Sequence, residues 1–117
     1  MKKILVAEDN DSNFILMTYI LRKFYAYERA KNGKEAVDMV ENGAYDMVLM
    51  DIKMPIMDGL EATKTIKEKH PDLPIIALTA NAFDSDRQLA VQAGCNDFLS
   101  KPVSSDLCIK TIRKFLD

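Results

Sequence analysis

The chain has 117 residues, 48% of them hydrophobic and 29% charged, with a formal net charge of −2. That length suits one domain with one core, and the charge balance argues against a nucleic-acid binder or a ligand of anionic membranes. No apolar run approaches the roughly 20 residues that span a bilayer, and the apolar stretch in MKKILVAEDN is too short for a signal peptide.

KILVA (3–7) is a short continuous apolar run, the pattern of a strand buried on both faces. SNFILMTYILRKF (12–24) sets Phe14, Met17, Leu21 and Phe24 at helical spacing, with Asp11 or Ser12 able to cap. YAYERA (25–30) reads as an edge strand, against which its charges count. Asn32-Gly33 breaks the chain before the helix KEAVDMVEN (34–42), with Ala36, Val37 and Val40 facing inward. MVLM (47–50) is a third strand. Gly59 opens LEATKTIKEKH, a helix ended by Pro71 and Pro74. IIALT (75–79) is a fourth strand, and SDRQLAVQA (85–93) a helix closed by Gly94. DFLS (97–100) and SDLCIKTIRKFL (105–116) complete the series as a strand and a helix.

Five strands alternating with five helices imply right-handed βαβ crossovers onto a parallel sheet covered on both faces. We find no repeat or linker, so residues 1–117 are expected to form a single domain. Cys95 and Cys108 have no His or Cys nearby in sequence and are expected to be reduced thiols in a cytoplasmic protein. His70, at a helix end, is expected to be exposed and without a role.

In parallel sheets ligands bind beyond the carboxyl ends of the strands. Four of the five strands run into something polar there: Glu8-Asp9, Asp51, Thr79 and Lys101. Singly, each would be an ordinary loop or strand-end residue. Together, three converging carboxylates repel one another and raise each other's pKa unless a cation sits among them. All-oxygen ligands favour a hard divalent ion, and a small, partly hydrated cluster suits Mg²⁺ better than Ca²⁺. A lysine and a threonine hydroxyl opposite supply the point charge and the donor that a phosphoryl group needs. Asp51 is therefore a candidate nucleophile for phosphoryl transfer.

These residues carry a resemblance. The acidic pair in LVAEDN, the acceptor in LMDIKMPIMDG, the hydroxyl in IIALTAN and the lysine in DFLSKP make the chain similar, end to end, to a receiver domain of two-component response regulators. The resemblance implies an α/β, flavodoxin-like, doubly wound five-stranded parallel sheet of order 2-1-3-4-5 with five helices. It implies that Asp51 accepts the phosphoryl group, and that Asp9, Asp51 and the Lys53 carbonyl bind Mg²⁺ directly with Glu8 acting through water. Thr79 and Lys101 would contact phosphoryl oxygens, and Phe98 would change rotamer as Thr79 moves, altering the face of helix four, strand five and helix five. Lys101-Pro102 is expected to be cis, and Pro55 and Gly59 to shape the loop after strand three.

The family's pattern is modified at two points. The acidic pair is Glu-Asp, and the switch aromatic is Phe without a hydroxyl, which is expected to favour its buried state. Lys53 and Asn81 line the path of an attacking water, and neither is a general base. The acyl phosphate is therefore expected to outlast that of a fast chemotaxis-type switch. The methionines read as core and loop filler rather than a functional stripe; Met54 and Met57, which flank the acceptor, are also candidates for a docking surface.

The implied function is acceptance of a phosphoryl group from a histidine kinase or histidine-phosphotransfer partner, without turnover as an enzyme. No direct contact with nucleic acid or membrane is expected, and a weak homodimer is compatible. The rival is a haloacid-dehalogenase-like phosphatase, which needs a second aspartate where Lys53 stands. A nucleotide or flavin module lacks its Gly-rich phosphate loop. A stand-alone regulator and a receiver excised from a hybrid kinase both fit; the wording of MDIKMPIMDGLEAT and GCNDFLSKPV leans toward the latter.

Overall fold

The structure is a computed structural model that describes residues 1–80 and 84–117. Asn81 lies outside the described residues. In chain order the elements are β1 (Lys3–Ala7), α1 (Asp11–Leu21), β2 (Ala26–Ala30), α2 (Gly33–Asn42), β3 (Met47–Asp51), α3 (Gly59–Lys69), β4 (Ile75–Thr79), α4 (Asp84–Ala93), β5 (Asp97–Ser100) and α5 (Ser105–Leu116). All strand pairings are parallel, in the order β2-β1-β3-β4-β5.

The continuous apolar runs are explained by the two layers they serve. Along a strand, side chains alternate between faces. Ile4, Val6, Met47, Leu49, Ile76 and Leu78 pack with Met17 and Leu21 of α1 and with Cys108 and Ile112 of α5. The alternate residues Leu5, Ala7, Val48, Met50 and Ile75 pack with Ala36 and Val40 of α2 and with Ala62 and Ile66 of α3. A strand serving two cores has no face left for polar residues, which is why β1, β3 and β4 show no hydrophobic alternation. β2 is an edge strand and keeps Glu28 exposed.

Three local expectations are corrected. The cap of α1 is Asn10, whose side chain accepts from the Asn13 N–H at 3.0 Å, rather than Asp11 or Ser12. The helix also stops at Leu21, not Phe24. The Phe24 and Tyr25 N–H groups both donate to the Leu21 carbonyl at 2.9 Å, which tightens the turn. Tyr25 is thereby carried into the core, and Phe24 is left exposed beneath the Arg113 guanidinium. His70 is half-buried at the end of α3 rather than exposed, its N–H bonded to the Ile66 carbonyl. Cys95 and Cys108 are free thiols. Among the described residues no helix is long and apolar enough to cross a membrane.

Gly94 closes α4 with φ of 111°, the left-handed conformation that glycine adopts without steric cost. Gly59 is needed for a different reason. Its N–H donates to the Ile52 carbonyl at 2.8 Å, and a Cβ there would overlap the Asp51 carbonyl oxygen. The clash is with backbone, which cannot rotate away. Gly59→Ala is therefore expected to destabilise the fold by about 1–3 kcal/mol through overpacking. A urea midpoint equal to that of the parent would show that the loop gives way instead.

Candidate functional site

The register that builds the sheet also assembles the site. Ala7 of β1 pairs with Met50 of β3, so Glu8 and Asp51 emerge side by side one step further along. Both continue the parity of the α1/α5 face. β4 and β5 end together, with Thr79 opposite Ser100, and the Lys101 N–H donates to the Thr79 carbonyl at 2.7 Å. The Lys101–Pro102 bond is cis. Four strand ends thus deliver an acidic side and a basic side to one cleft of about 210 Å³.

Glu8, Asp9 and Asp51 each present a carboxylate oxygen within 4.8 Å of the others. Asp9 is exposed, whereas Glu8 is 1% and Asp51 5% exposed. Lys101 Nζ lies 2.9 Å from Glu8 Oε1 and 3.1 Å from Asp51 Oδ2. Beyond that ion pair, Glu8 Oε1 has no hydrogen-bond partner among the described residues. The remaining oxygens are held by backbone: Glu8 Oε2 accepts from the Asn10 N–H at 3.3 Å, and Asp51 Oδ1 from the Lys53 N–H at 3.2 Å. The Thr79 hydroxyl is buried without a hydrogen-bond partner among the described residues.

Burial and the adjoining Glu8 push the Asp51 carboxyl up to about 7, against the pull of Lys101. Burial also works against ionised Glu8, but its contact with Asp51 and the charge of Lys101 hold it below its ordinary value. Of the pair, Glu8 is thus the more readily ionised and Asp51 the more readily protonated. Burial opposes the ammonium of Lys101, yet the two acids more than compensate and raise its pKa.

The donor set fits a hard divalent cation. When all three acids are ionised, three carboxylates facing one ammonium leave two uncancelled negative charges, which a divalent ion would cancel. The under-satisfied Glu8 Oε1 and the raised Asp51 point the same way.

Every residue singled out from the strand ends, namely Glu8, Asp9, Asp51, Thr79 and Lys101, reaches this cleft or its wall. Lys53 lines it too. Phe98 is half-buried on β5, with the Arg87 guanidinium carbon 4.6 Å from its ring centre. Met54 and Met57 pack inward against the α2/α3 core, as filler, leaving Ile56 as the exposed tip of the loop at φ of 70°. Asn13 and Asp86 also line the cleft, from α1 and α4. A reading of strand ends has no signal for them, because helices bring them in.

Comparison with known proteins agrees with this geometry. The profile of the response regulator receiver domain matches residues 4–113. Hybrid signal transduction histidine kinase B of Dictyostelium discoideum is 42% identical over 132 residues; that alignment covers 100% of this chain, which spans only 7% of the relative's length. Among solved structures, the receiver domain of sensor histidine kinase PA1611 from Pseudomonas aeruginosa, with a magnesium ion coordinated in its active-site cleft, has a TM-score of 0.91 and 38% identity, covering 97% of this chain and 96% of that one. The receiver domain of the Saccharomyces cerevisiae response regulator Ssk1, co-crystallised with the histidine phosphotransfer signaling protein Ypd1, also has a TM-score of 0.91, with 33% identity, covering 97% and 88%.

Proposed function

The chain belongs to the response regulator receiver domain family of phosphorelay two-component systems, and from that premise we propose that Asp51 is its phosphoacceptor and a phosphohistidine its donor. The observation that carries this is the pairing of a buried Asp51 with Lys101 at 3.1 Å inside a ring of two further carboxylates. A nucleophile needs to be ionised; burial and Glu8 oppose ionisation of Asp51, whereas Lys101 and the Lys53 N–H favour it. A divalent cation held among these acids would favour the ionised form of Asp51.

In the transfer, an ionised oxygen of Asp51 attacks phosphorus. The O–P bond forms as the N–P bond to the donor imidazole breaks, and the imidazole keeps the electron pair. A divalent ion, magnesium in our reading, would be held by Glu8, Asp9 and Asp51 with the Lys53 carbonyl, and its charge would offset that of the acceptor and phosphoryl oxygens. Lys101 would exchange its carboxylate partner for a phosphoryl oxygen. The unpartnered Thr79 hydroxyl donates to another, and its shift makes room for Phe98 to turn inward. The domain positions and neutralises the reactants without turning over as an enzyme. The partner that suits this chemistry is a histidine kinase or a histidine-phosphotransfer protein, the latter class being what Ssk1 was crystallised with. A cytoplasmic location accords with such a donor.

Acetyl phosphate with magnesium is expected to add one phosphoryl group to the domain, seen by intact mass, and chelation of the metal is expected to prevent it. A domain that stays unmodified under both conditions would identify it as a receiver retained for contact alone.

A further inference from the structure

We infer that Arg29, from the edge strand, is a positioning residue for the metal site: its guanidinium fork holds the backbone of the two acidic residues that follow β1. The inference rests on reading Glu8, Asp9 and Asp51 as a divalent-ion site.

The need for such a residue follows from the topology. Once the chain leaves β1 at Ala7, the carbonyls of Glu8 and Asp9 have no ladder partner, since β2 ends at Ala30 and is the last strand on that side. Arg29 fills the gap. Its Nε donates to the Glu8 carbonyl at 3.0 Å and its Nη2 to the Asp9 carbonyl at 3.2 Å. The neighbouring Ala30 carbonyl accepts the Glu8 N–H at 3.0 Å, so β2 grips Glu8 from both sides of its Cα. Arg29 is itself fixed. Nη2 lies 2.9 Å from Asp11 Oδ1, and the guanidinium carbon sits 4.7 Å from the centre of the Phe14 ring. Its side chain is only 18% exposed.

Three mutually repelling carboxylates drift apart if their backbone is free. Tying down the Glu8 and Asp9 peptides resists that drift and keeps the ligand set assembled before a cation arrives. A planar fork can reach two successive carbonyls in fixed geometry, which a lysine ammonium cannot. The opposing effect is electrostatic, because a positive charge near the site repels a cation. Asp11 already pairs with that charge, so positioning outweighs repulsion. The two effects predict opposite signs, which makes them separable.

Magnesium titration calorimetry on the parent, Arg29→Met, Arg29→Lys and Tyr45→Phe, with the melting temperature of each metal-free protein, tests this. Arg29→Met keeps an unbranched aliphatic side chain but loses the fork and the charge, and Arg29→Lys keeps the charge. Both are expected to weaken magnesium binding roughly tenfold, the scale of lesions to groups that orient metal ligands. Tyr45→Phe removes the Tyr45–Glu28 hydrogen bond elsewhere on the same edge strand and is expected to leave affinity unchanged, whatever it does to melting. Unchanged or tighter binding by Arg29→Met overturns the proposal, as does full affinity in Arg29→Lys, since charge alone would then suffice. Loss of affinity in Tyr45→Phe equal to that in the Arg29 variants would overturn it too, reducing the effect to general weakening of β2. If the parent itself binds no magnesium, the site reading fails first, and this inference falls with it.

Discussion

Asp51→Asn is expected to abolish phosphoryl labelling and, in metal-free buffer, to make the domain more stable than its parent. The first effect follows from the nucleophile. An amide oxygen is nearly isosteric with the carboxylate and can still accept from the Lys53 N–H, but it forms no stable acyl phosphate. The second follows from the setting. Asp51 is buried against Glu8, and the site holds it at the expense of stability. In the variant, Lys101 keeps Glu8 at 2.9 Å as its partner, and the new amide can donate to that carboxylate. Removing a destabilised functional charge is commonly worth roughly 0.5–2 kcal/mol, and at this chain length that raises the melting temperature by several degrees. Labelling that persists undiminished in the variant would place the acceptor elsewhere. A lower melting temperature would mean that the acidic cluster is not under strain.

The second large effect is a reversal of pH dependence by magnesium. Without metal, the folded pKa of Asp51 is about 7, above its ordinary 3.8, so the folded state holds the proton more tightly than the unfolded chain. The resulting stability is fully present below the unfolded value and is lost as pH rises through the folded one. Glu8 has the opposite sign, since its lowered pKa contributes stability that disappears as pH falls through that lowered value. That loss lies in the acid range, so between about pH 5.5 and 8 Asp51 dominates, with a slope of at most about 1.4 kcal/mol per pH unit. Melting temperature in chelator should therefore fall across that range. Excess magnesium is expected to bind the ionised cluster and to stabilise the folded state by roughly 2.7 kcal/mol at a hundredfold excess over its dissociation constant. Because protons compete for the same oxygens, that gain grows with pH and flattens or inverts the trend. Parallel melts of parent and Asp51→Asn, each with chelator and with magnesium, read this directly. A parent whose melting temperature in chelator rises with pH over the interval would contradict the assignment of the proton to Asp51.

Much of the fold was legible because its signals are short-range. The apolar runs Lys3–Ala7, Met47–Asp51 and Ile75–Thr79, and the Asn-Gly and Asp-Gly breaks before α2 and α3, announce element types without reference to anything distant. The site was legible for a related reason. In a parallel sheet every strand ends on the same rim, so Glu8, Asp9, Asp51, Thr79 and Lys101 are brought together by topology alone.

Failures occurred where a residue's neighbours come from remote parts of the chain. Phe24 and Tyr25 are adjacent aromatics, and periodicity favoured the wrong one. The turn after Leu21 hands Tyr25 to the core and leaves Phe24 to Arg113 of the last helix. Asn10 takes the cap while Asp11 is engaged by Arg29 from the edge strand. Asp86 joins the cleft from a helix, and Arg29, whose charge counted against a strand, turns inward to bind loop carbonyls.

The amino-acid sequence by itself determined the kind of protein: the alternation of strand and helix, the two-sided burial of the central strands, and the identity of the groups at their carboxyl ends. Only the tertiary structure decided how those groups share charge, with the proton on Asp51, the ammonium of Lys101 between two acids, and the acidic loop held by an arginine 20 residues away from Asp9. Element type follows from local backbone and side-chain preferences. Protonation and preorganisation depend on distances and burial, which exist only once separate segments have packed together.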